Sequence, residues 1–149
     1  MSKKSSLELK QFLPYMMVRL ADRLSTTLAT IYQRDYGISI AEWRVMANVY
    51  EYGELMSKAI ASLTNMDKVK VSRAVQTLEE KGWIQKKGSA ADNRAYFIVL
   101  TAKGKAMMVK MVPRVLTWQS ELLKTVSKKE LTVFLNTVAK LEQQLDKMA

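Results

Sequence analysis

The fold is decided by residues 57–100, which read SKAIASLTNMDKVKVSRAVQTLEEKGWIQKKGSAADNRAYFIVL. Apolar residues at helical spacing predict two helices in its first half, from Ser57 to Leu63 and from Asp67 to Lys81. Thr64-Asn65 forms a tight connection between them, because Asn tolerates a left-handed backbone. A short turn between two such helices is the spacing of a helix-turn-helix.

Past Gly82 the hydrophobic pattern changes from the period of a helix to that of a strand. Asp67 suits the N-cap of the second helix, and Gly82 suits its C-terminal end. Two short runs rich in aromatic and β-branched residues follow, Trp83 to Lys87 and Ala95 to Leu100, separated by a loop from Gly88 to Arg94. They predict a two-stranded hairpin, so this region reads as a winged helix-turn-helix. The stripe of the second helix that we expect to face inward is Val71, Ala74, Val75 and Leu78.

Helices are predicted on both sides of this module. Leu7 to Arg34 reads as a long helix with Pro14 near its start or kinking it, and Ser39 to Gly53 reads as a second helix with a capping box at its N-terminus. Ala102 to Thr125 and Lys128 to Met148 close the chain as two more helices. The fold class is therefore mainly α, a winged helix-turn-helix with a two-stranded β wing plus N- and C-terminal helices.

The last predicted helix carries an apolar seam at alternating steps of three and four residues, the pattern of a coiled-coil heptad. Its members are Leu131, Phe134, Val138, Leu141, Leu145 and Met148. A seam on a terminal helix needs a partner. The residues alone leave two partners possible: the chain's own first helix and a second copy of the protein.

Composition excludes several classes of functional site. The chain has no Cys and no His, which excludes disulfides, thiol redox sensing, thiolate metal sites and the commonest metal ligand. Motifs that cradle phosphates or present a nucleophile are missing as well, so we expect no enzyme, no cofactor and no metal. The longest apolar run has six residues, from Ala95 to Leu100, too short to span a membrane. Nothing directs secretion, so we expect the cytoplasm.

The charge balance indicates an acidic partner. Lys and Arg number 24 against 14 Asp and Glu, and half of the resulting +10 falls within residues 66–105. Such an excess suits nucleic acid or an anionic membrane surface, although solubility alone can also explain it.

The outer face of the helix from Asp67 to Lys81 has the chemistry to read a DNA major groove. Arg73 can donate to guanine, Gln76 can pair with adenine, and Val69 can touch a thymine methyl. Lysines at the start of such a helix suit phosphates better than bases. The predicted DNA contacts on this helix are Lys68, Val69, Lys70, Ser72, Arg73 and Gln76.

The hairpin loop offers one carboxylate and one guanidinium two residues apart. Arg94 can enter a minor groove, whose negative potential attracts it, while Asp92 orients it. The alternative is an exposed surface ion pair worth about 0 to 1 kcal/mol. Spacing alone does not decide between them.

Two ordered motifs resemble the MarR-type (multiple antibiotic resistance) family of transcription regulators. The first is KAIASLTNMDKVKVSRAV at 58–75 followed by LEEKGWI at 78–84, and the second is DNRA at 92–95 followed by LTAKG at 100–104. The resemblance implies a homodimer that binds a palindromic operator in double-stranded DNA, with a helical dimerisation region at 1–36 and 105–149 and a DNA-binding module at 37–104. It favours contact between copies through the seam of Leu131, Phe134, Val138, Leu141 and Leu145, and it implies control by repression.

Members of that family often bind small aromatic carboxylates or phenols in a crevice beside the DNA-binding module. Arginine suits a carboxylate, and Trp and Met suit a ring. The candidates for such an effector pocket are Arg19, Arg23, Trp43, Arg44 and Met46. The alternative is that Trp43 and Met46 are core and the arginines are surface or ion-paired.

Three other functions remain open from the sequence. One is an architectural DNA binder without an effector, and another is a basic interaction protein that binds a membrane or a protein partner. The third is a hydrolase that uses pairs of Asp and Glu residues.

Overall fold

The computed structural model of the chain describes residues 6–88 and 95–149, and in these ranges it confirms a winged helix-turn-helix fold. The described elements are α1 (Leu13–Tyr36), α2 (Ile40–Tyr52), β1 (Glu54–Leu55), α3 (Ser57–Thr64), α4 (Lys68–Glu80), β2 (Ile84–Gly88), β3 (Tyr96–Leu100), α5 (Ala102–Leu122) and α6 (Lys128–Met148). They form two compact units, one ending at Arg114 and the other spanning Val115–Ala149.

The first helix starts later than the sequence predicted. A short 3-10 turn spans Leu9–Gln11, Phe12 is extended, and α1 begins at Leu13 with Pro14 in its first turn. A proline fits there because the amide hydrogen that it lacks has no helical partner at that position. The helix ends at Gly37, which adopts the left-handed conformation with φ of 65°.

The predicted capping box of α2 is present. The Glu42 amide donates to Ser39 Oγ at 3.1 Å, and the Ser39 amide donates back to Glu42 Oε2 at 3.1 Å. Gly53 ends the helix, as predicted. Local side-chain chemistry therefore fixes both ends of α2.

The helix-turn-helix lies where the sequence placed it. Asn65 ends α3 in the left-handed conformation with φ of 54°, and Asp67 caps α4 by accepting the Lys70 amide at 2.8 Å. The predicted inward stripe of α4 is buried: Val71, Ala74, Val75 and Leu78.

The sheet has one strand more than predicted. β2 and β3 form the antiparallel hairpin, and β1 pairs with the free edge of β3, where Glu54 lies opposite Val99 and Leu55 opposite Ile98. A strand of two residues shows no alternation of polar and apolar positions, so the sequence carried no signal for it.

One core joins the helices and the sheet of the first unit. It includes the fully buried side chains of Tyr32, Val49, Ile60, Ile98 and Met111. Its residues come from α1 to α5 and from both strands of the hairpin, so α4 and the base of the wing rest on a common apolar support.

In the second unit, α6 begins with a capping box between Ser127 and Glu130 and displays its apolar seam. Phe134 is 48% exposed and Leu145 is 61% exposed, while Leu131 and Val138 are half-buried. The seam in a single chain therefore remains largely open to solvent.

Candidate nucleic-acid interface

The outer face of α4 is exposed to solvent. The stripe of buried side chains anchors the helix, and all six residues that the sequence predicted to contact DNA from this helix are exposed: Lys68, Val69, Lys70, Ser72, Arg73 and Gln76. Val69 is 58% exposed, so its methyl groups are accessible to another surface.

The exposed face of α4 divides into two rows, because residues three and seven positions apart lie on the same side of a helix. Val69, Ser72 and Gln76 form the outer row. Lys70, Arg73 and Thr77 form the inner row, which borders α1 and α2. Arg73 lies where the two rows meet.

Gln76 has a partner within α4. Its side-chain amide nitrogen donates to Glu80 Oε1 at 3.4 Å. An amide held by a flexible neighbour can exchange that weak bond for one to a base edge.

The stem of the wing carries two basic residues that are not among the predicted DNA contacts. Lys86 lies 3.9 Å from a Glu79 carboxylate oxygen and 4.8 Å from the centre of the Tyr96 ring. Lys87 lies 3.7 Å from a Glu54 carboxylate oxygen. Both ammonium groups are solvent-exposed, and such surface pairs are weak, so phosphates can compete for them. The tip residues Asp92 and Arg94 lie outside the described residues.

A partly buried ion pair supports the end of α4. Lys81 donates to the Gly37 carbonyl at 2.8 Å and to Glu42 Oε1 at 3.1 Å, and its ammonium lies 5.2 Å from the centre of the Trp83 ring. Burial raises the pKa of Glu42, but hydrogen bonds from Ser39 and Lys81 outweigh it and lower that pKa below its ordinary value. Lys81 thus ties the start of the wing to the junction of α1 and α2.

A crevice of about 680 Å³ opens between α1, the start of α2 and the inner row of α4. Its volume lies within the usual range for small-molecule sites. Apolar, polar and charged side chains line it: Val18, Ala21, Asp22, Ser25, Ser39, Ile40, Ala41, Glu42, Arg44, Met66, Lys70, Arg73, Ala74 and Thr77.

The structure does not gather the five predicted effector residues in one place. Arg44 is the one member of that set among the described residues that line the crevice, and its guanidinium donates to Ser25 Oγ at 3.1 Å. Met46 is fully buried in the core and does not line the crevice. Trp43 stacks on Tyr32, with ring centres 5.2 Å apart. Arg19 and Arg23 are exposed on α1.

Burial raises the pKa of Tyr32, although the charge of Arg44 lowers it in part. The Tyr32 phenol therefore stays neutral across the physiological range. The stacked rings of Tyr32 and Trp43 are accordingly part of the apolar support of α1 and α2.

Comparison with known families identifies the chain. The family model for the transcriptional regulators SarA/Rot matches residues 27–111, more than half of the sequence. The chain belongs to the SarA/Rot family of transcriptional regulators. This SarA/Rot member is also 24% identical over 129 residues to an uncharacterized HTH-type transcriptional regulator of Bacillus subtilis, YwaE, covering 87% of this chain and 75% of that protein.

Solved structures place this SarA/Rot regulator in the MarR-type winged-helix class, which confirms the resemblance seen in the sequence. A MarR/EmrR family transcriptional regulator from Acinetobacter sp. ADP1 has a TM-score of 0.87 at 26% identity, over 95% of this chain and 99% of that one. The protein is thus a DNA-binding transcriptional regulator of MarR type, from a family of regulators rather than enzymes.

Two further solved structures share the fold at lower identity. Sco3205 of Streptomyces coelicolor, a MarR family regulator solved in complex with DNA, has a TM-score of 0.78 at 19% identity, over 97% of this chain and 92% of its own. NadR, solved in complex with 4-hydroxyphenylacetate, has a TM-score of 0.78 at 18% identity, over 95% and 97% of the two chains.

Two further observations concern the described part of the chain as a whole. Across residues 6–88 and 95–149, the structure has no helix long and apolar enough to cross a membrane. In the same part of the chain, no group of three or more acidic side chains is arranged to hold a metal ion.

Proposed function

We propose that this protein is a cytoplasmic repressor that binds a palindromic operator as a homodimer and releases it when a small aromatic or phenolic carboxylate binds. The observation that carries the proposal is the face of α4, where Arg73, Gln76 and Val69 stand exposed above a buried apolar stripe. A helix in this setting enters the major groove and reads base edges.

In this proposal each DNA-contacting residue has a separate role. Arg73, Gln76, Ser72 and Val69 read bases, and Lys68 and Lys70 hold phosphates. From the wing, Arg94 enters the adjacent minor groove and Asp92 orients it. The winged module at 37–104 delivers all of these groups to one half-site.

The homodimer would form through the helices at 1–36 and 105–149. The seam of α6 supports this, because Phe134, Leu141 and Leu145 are exposed in the single chain. The start of α1 adds a second apolar surface that includes Leu13, Met16 and Leu20. Exposed apolar patches of this kind mark protein–protein interfaces in soluble proteins.

The crevice supports the effector part of the proposal. It combines apolar walls with the cationic side chains of Arg44, Lys70 and Arg73, a chemistry that suits an anionic ring. NadR, which shares the fold, was solved with a phenolic carboxylate.

Fluorescence anisotropy on the DNA upstream of the protein's own gene tests the proposal, with scrambled DNA of equal length as the comparison. We expect the upstream DNA to bind about 1000-fold more tightly. Arg73→Ala should cost about 1 to 3 kcal/mol and relax specificity, while Lys68→Ala should lower the salt slope by about one.

Lys110→Ala is the matched control, since it removes one exposed positive charge from α5 in the same unit. It should leave specificity unchanged. Equal binding of the two DNAs, together with no effect of Arg73→Ala, would refute operator reading by α4. Specific binding that persists across a panel of aromatic carboxylates would instead favour an architectural DNA binder without an effector.

A further inference from the structure

The side chain of Lys81 connects two parts of the first unit that are distant in sequence. Its ammonium donates to the Gly37 carbonyl and to Glu42 Oε1, acceptors that lie 44 and 39 positions earlier in the chain. Lys81 directly follows the last residue of α4, while Gly37 and Glu42 belong to the segment that leads from α1 into α2. We call these two hydrogen bonds the Lys81 bridge.

The segment that accepts the Lys81 bridge is itself held in place. Ile38 is fully buried, and Tyr36 packs against the core. The Arg114 guanidinium of α5 pairs with Asp35 and lies 5.8 Å from the centre of the Tyr36 ring. Glu42 is only 8% exposed. Lys81 therefore binds a fixed acceptor, and this restricts the end of α4 that carries it.

The Lys81 bridge adds direction to the apolar packing of α4. The buried stripe holds the helix against the core, but apolar contact is not directional, so it tolerates small sliding and rolling of the helix. Hydrogen bonds are directional and span only about 2.7 to 3.2 Å between N and O. Lys81 follows Arg73 by eight residues, which is about 12 Å along the helix axis. The bridge thus acts on α4 from the end opposite to Lys68 and Lys70.

We propose that Lys81 and Glu42 are positioning residues for DNA recognition. Their bridge fixes the rotation and the axial position of α4, so that its outer face meets the base edges in register, and neither side chain touches DNA. This inference rests on the proposed function, because it requires α4 to read an operator. Non-specific binding depends on charge rather than on alignment, so loss of the bridge should weaken operator binding selectively.

Glu42→Gln separates positioning from simple charge. The variant keeps a side chain that can complete the capping box with Ser39, but it loses the carboxylate that pairs with Lys81. On charge alone, removing an acid and releasing an ammonium should strengthen DNA binding. The positioning role predicts the opposite sign, with operator binding about fivefold weaker. Glu51→Gln, at an exposed position of α2, is the matched control and should not weaken it.

Lys81→Met removes the ammonium and keeps an unbranched apolar side chain. Operator binding should weaken about tenfold, which corresponds to misalignment of one two-bond base contact. Binding to scrambled DNA should fall no more than it does for Lys105→Met, which removes an exposed positive charge from α5. The salt slope on scrambled DNA should stay that of the wild type. A fall of about one in that slope would make Lys81 a phosphate contact and overturn the proposal.

The double variant with Lys81→Met and Glu42→Gln should bind the operator as weakly as Lys81→Met alone, because the bridge is already lost. Each affinity is referred to the fraction of protein that binds DNA in a stoichiometric titration, so partial unfolding cannot imitate the effect. If Lys81→Met does not fold, the sign of the Glu42→Gln effect still decides. A lower melting temperature with unchanged operator affinity of the active fraction would mean a merely structural bridge.

Unchanged or stronger operator binding by Glu42→Gln, equal losses on the two DNAs, or additive losses in the double variant would each overturn the positioning role. Failure of the proposed function gives a different result. In that case the wild-type protein itself would bind upstream and scrambled DNA equally well.

Discussion

Gly104→Ala tests how closely α5 approaches the base of the wing. A Cβ built at Gly104 would lie 2.0 Å from the Trp83 carbonyl oxygen and 3.0 Å from its carbonyl carbon. Both are backbone atoms, so no side-chain rotation can relieve the clash. Ordinary contact begins near 3.4 Å, which means that α5 or the start of β2 must move by more than an ångström.

The expected change in the free energy of unfolding follows from the packing and the hydrogen bonds that this movement disturbs. Overpacking of a well-packed core costs about 1 to 3 kcal/mol. The Trp83 oxygen also accepts the Thr101 amide at 3.1 Å, and the Gly104 amide donates to Thr101 Oγ1 at 3.0 Å. Loss of one such bond adds about 0.5 to 1.5 kcal/mol. We therefore expect Gly104→Ala to lower the free energy of unfolding by about 2 to 4 kcal/mol.

Urea unfolding followed by tryptophan fluorescence measures the effect, with all proteins at one concentration because association shifts apparent stability. Gly88→Ala is the matched control, since among the described residues no atom beyond its chain neighbours lies within 4 Å of its added Cβ, and its φ is not in the left-handed region. It should change stability by less than about 1 kcal/mol. Equal stabilities for Gly104→Ala and Gly88→Ala would refute the steric argument.

Three further predictions concern the ion pair, the turn and the seam. The pKa of Glu42 is below its ordinary value in the folded protein, so its pair with Lys81 stabilises the fold above the unfolded pKa of about 4.3 and is lost as the pH falls through the folded pKa. Urea unfolding at pH 7 and pH 3 should therefore show a smaller loss for Glu42→Gln than for the wild type, and equal losses would contradict this. Asn65→Ala should cost about 1 kcal/mol in the same assay because φ is positive there, and Asn65→Gly is the control that should retain stability. Phe134→Asp should shift sedimentation toward the monomer, whereas Lys129→Ala, also exposed on α6, should not; a dimer that survives Phe134→Asp would exclude the seam as its interface.

Local chemistry explains what the sequence could predict. The Ser39–Glu42 capping box and the Asp67 cap join residues three positions apart, so their spacing is visible in the chain itself. The helical spacing of apolar residues likewise predicts α4 and its buried stripe. The hairpin was found because its strands are long enough to show their period.

Contacts between distant positions explain what the sequence could not predict. Lys81 and Glu42 are 39 positions apart, and no local pattern marks them as partners. The crevice depends on which side of α2 faces inward, and this orientation buries Met46 while it leaves Arg44 at the crevice wall. Spacing alone gave both residues the same role.

The short strand β1 changes how the wing is held. Because β1 occupies the second edge of β3, the hairpin cannot tilt about its base without moving Glu54 and Leu55. Those residues follow α2 directly, and the opposite end of α2 forms part of the crevice wall. The N-terminal end of α2 therefore lines the crevice, and its C-terminal end leads directly into the strand that pairs with the wing.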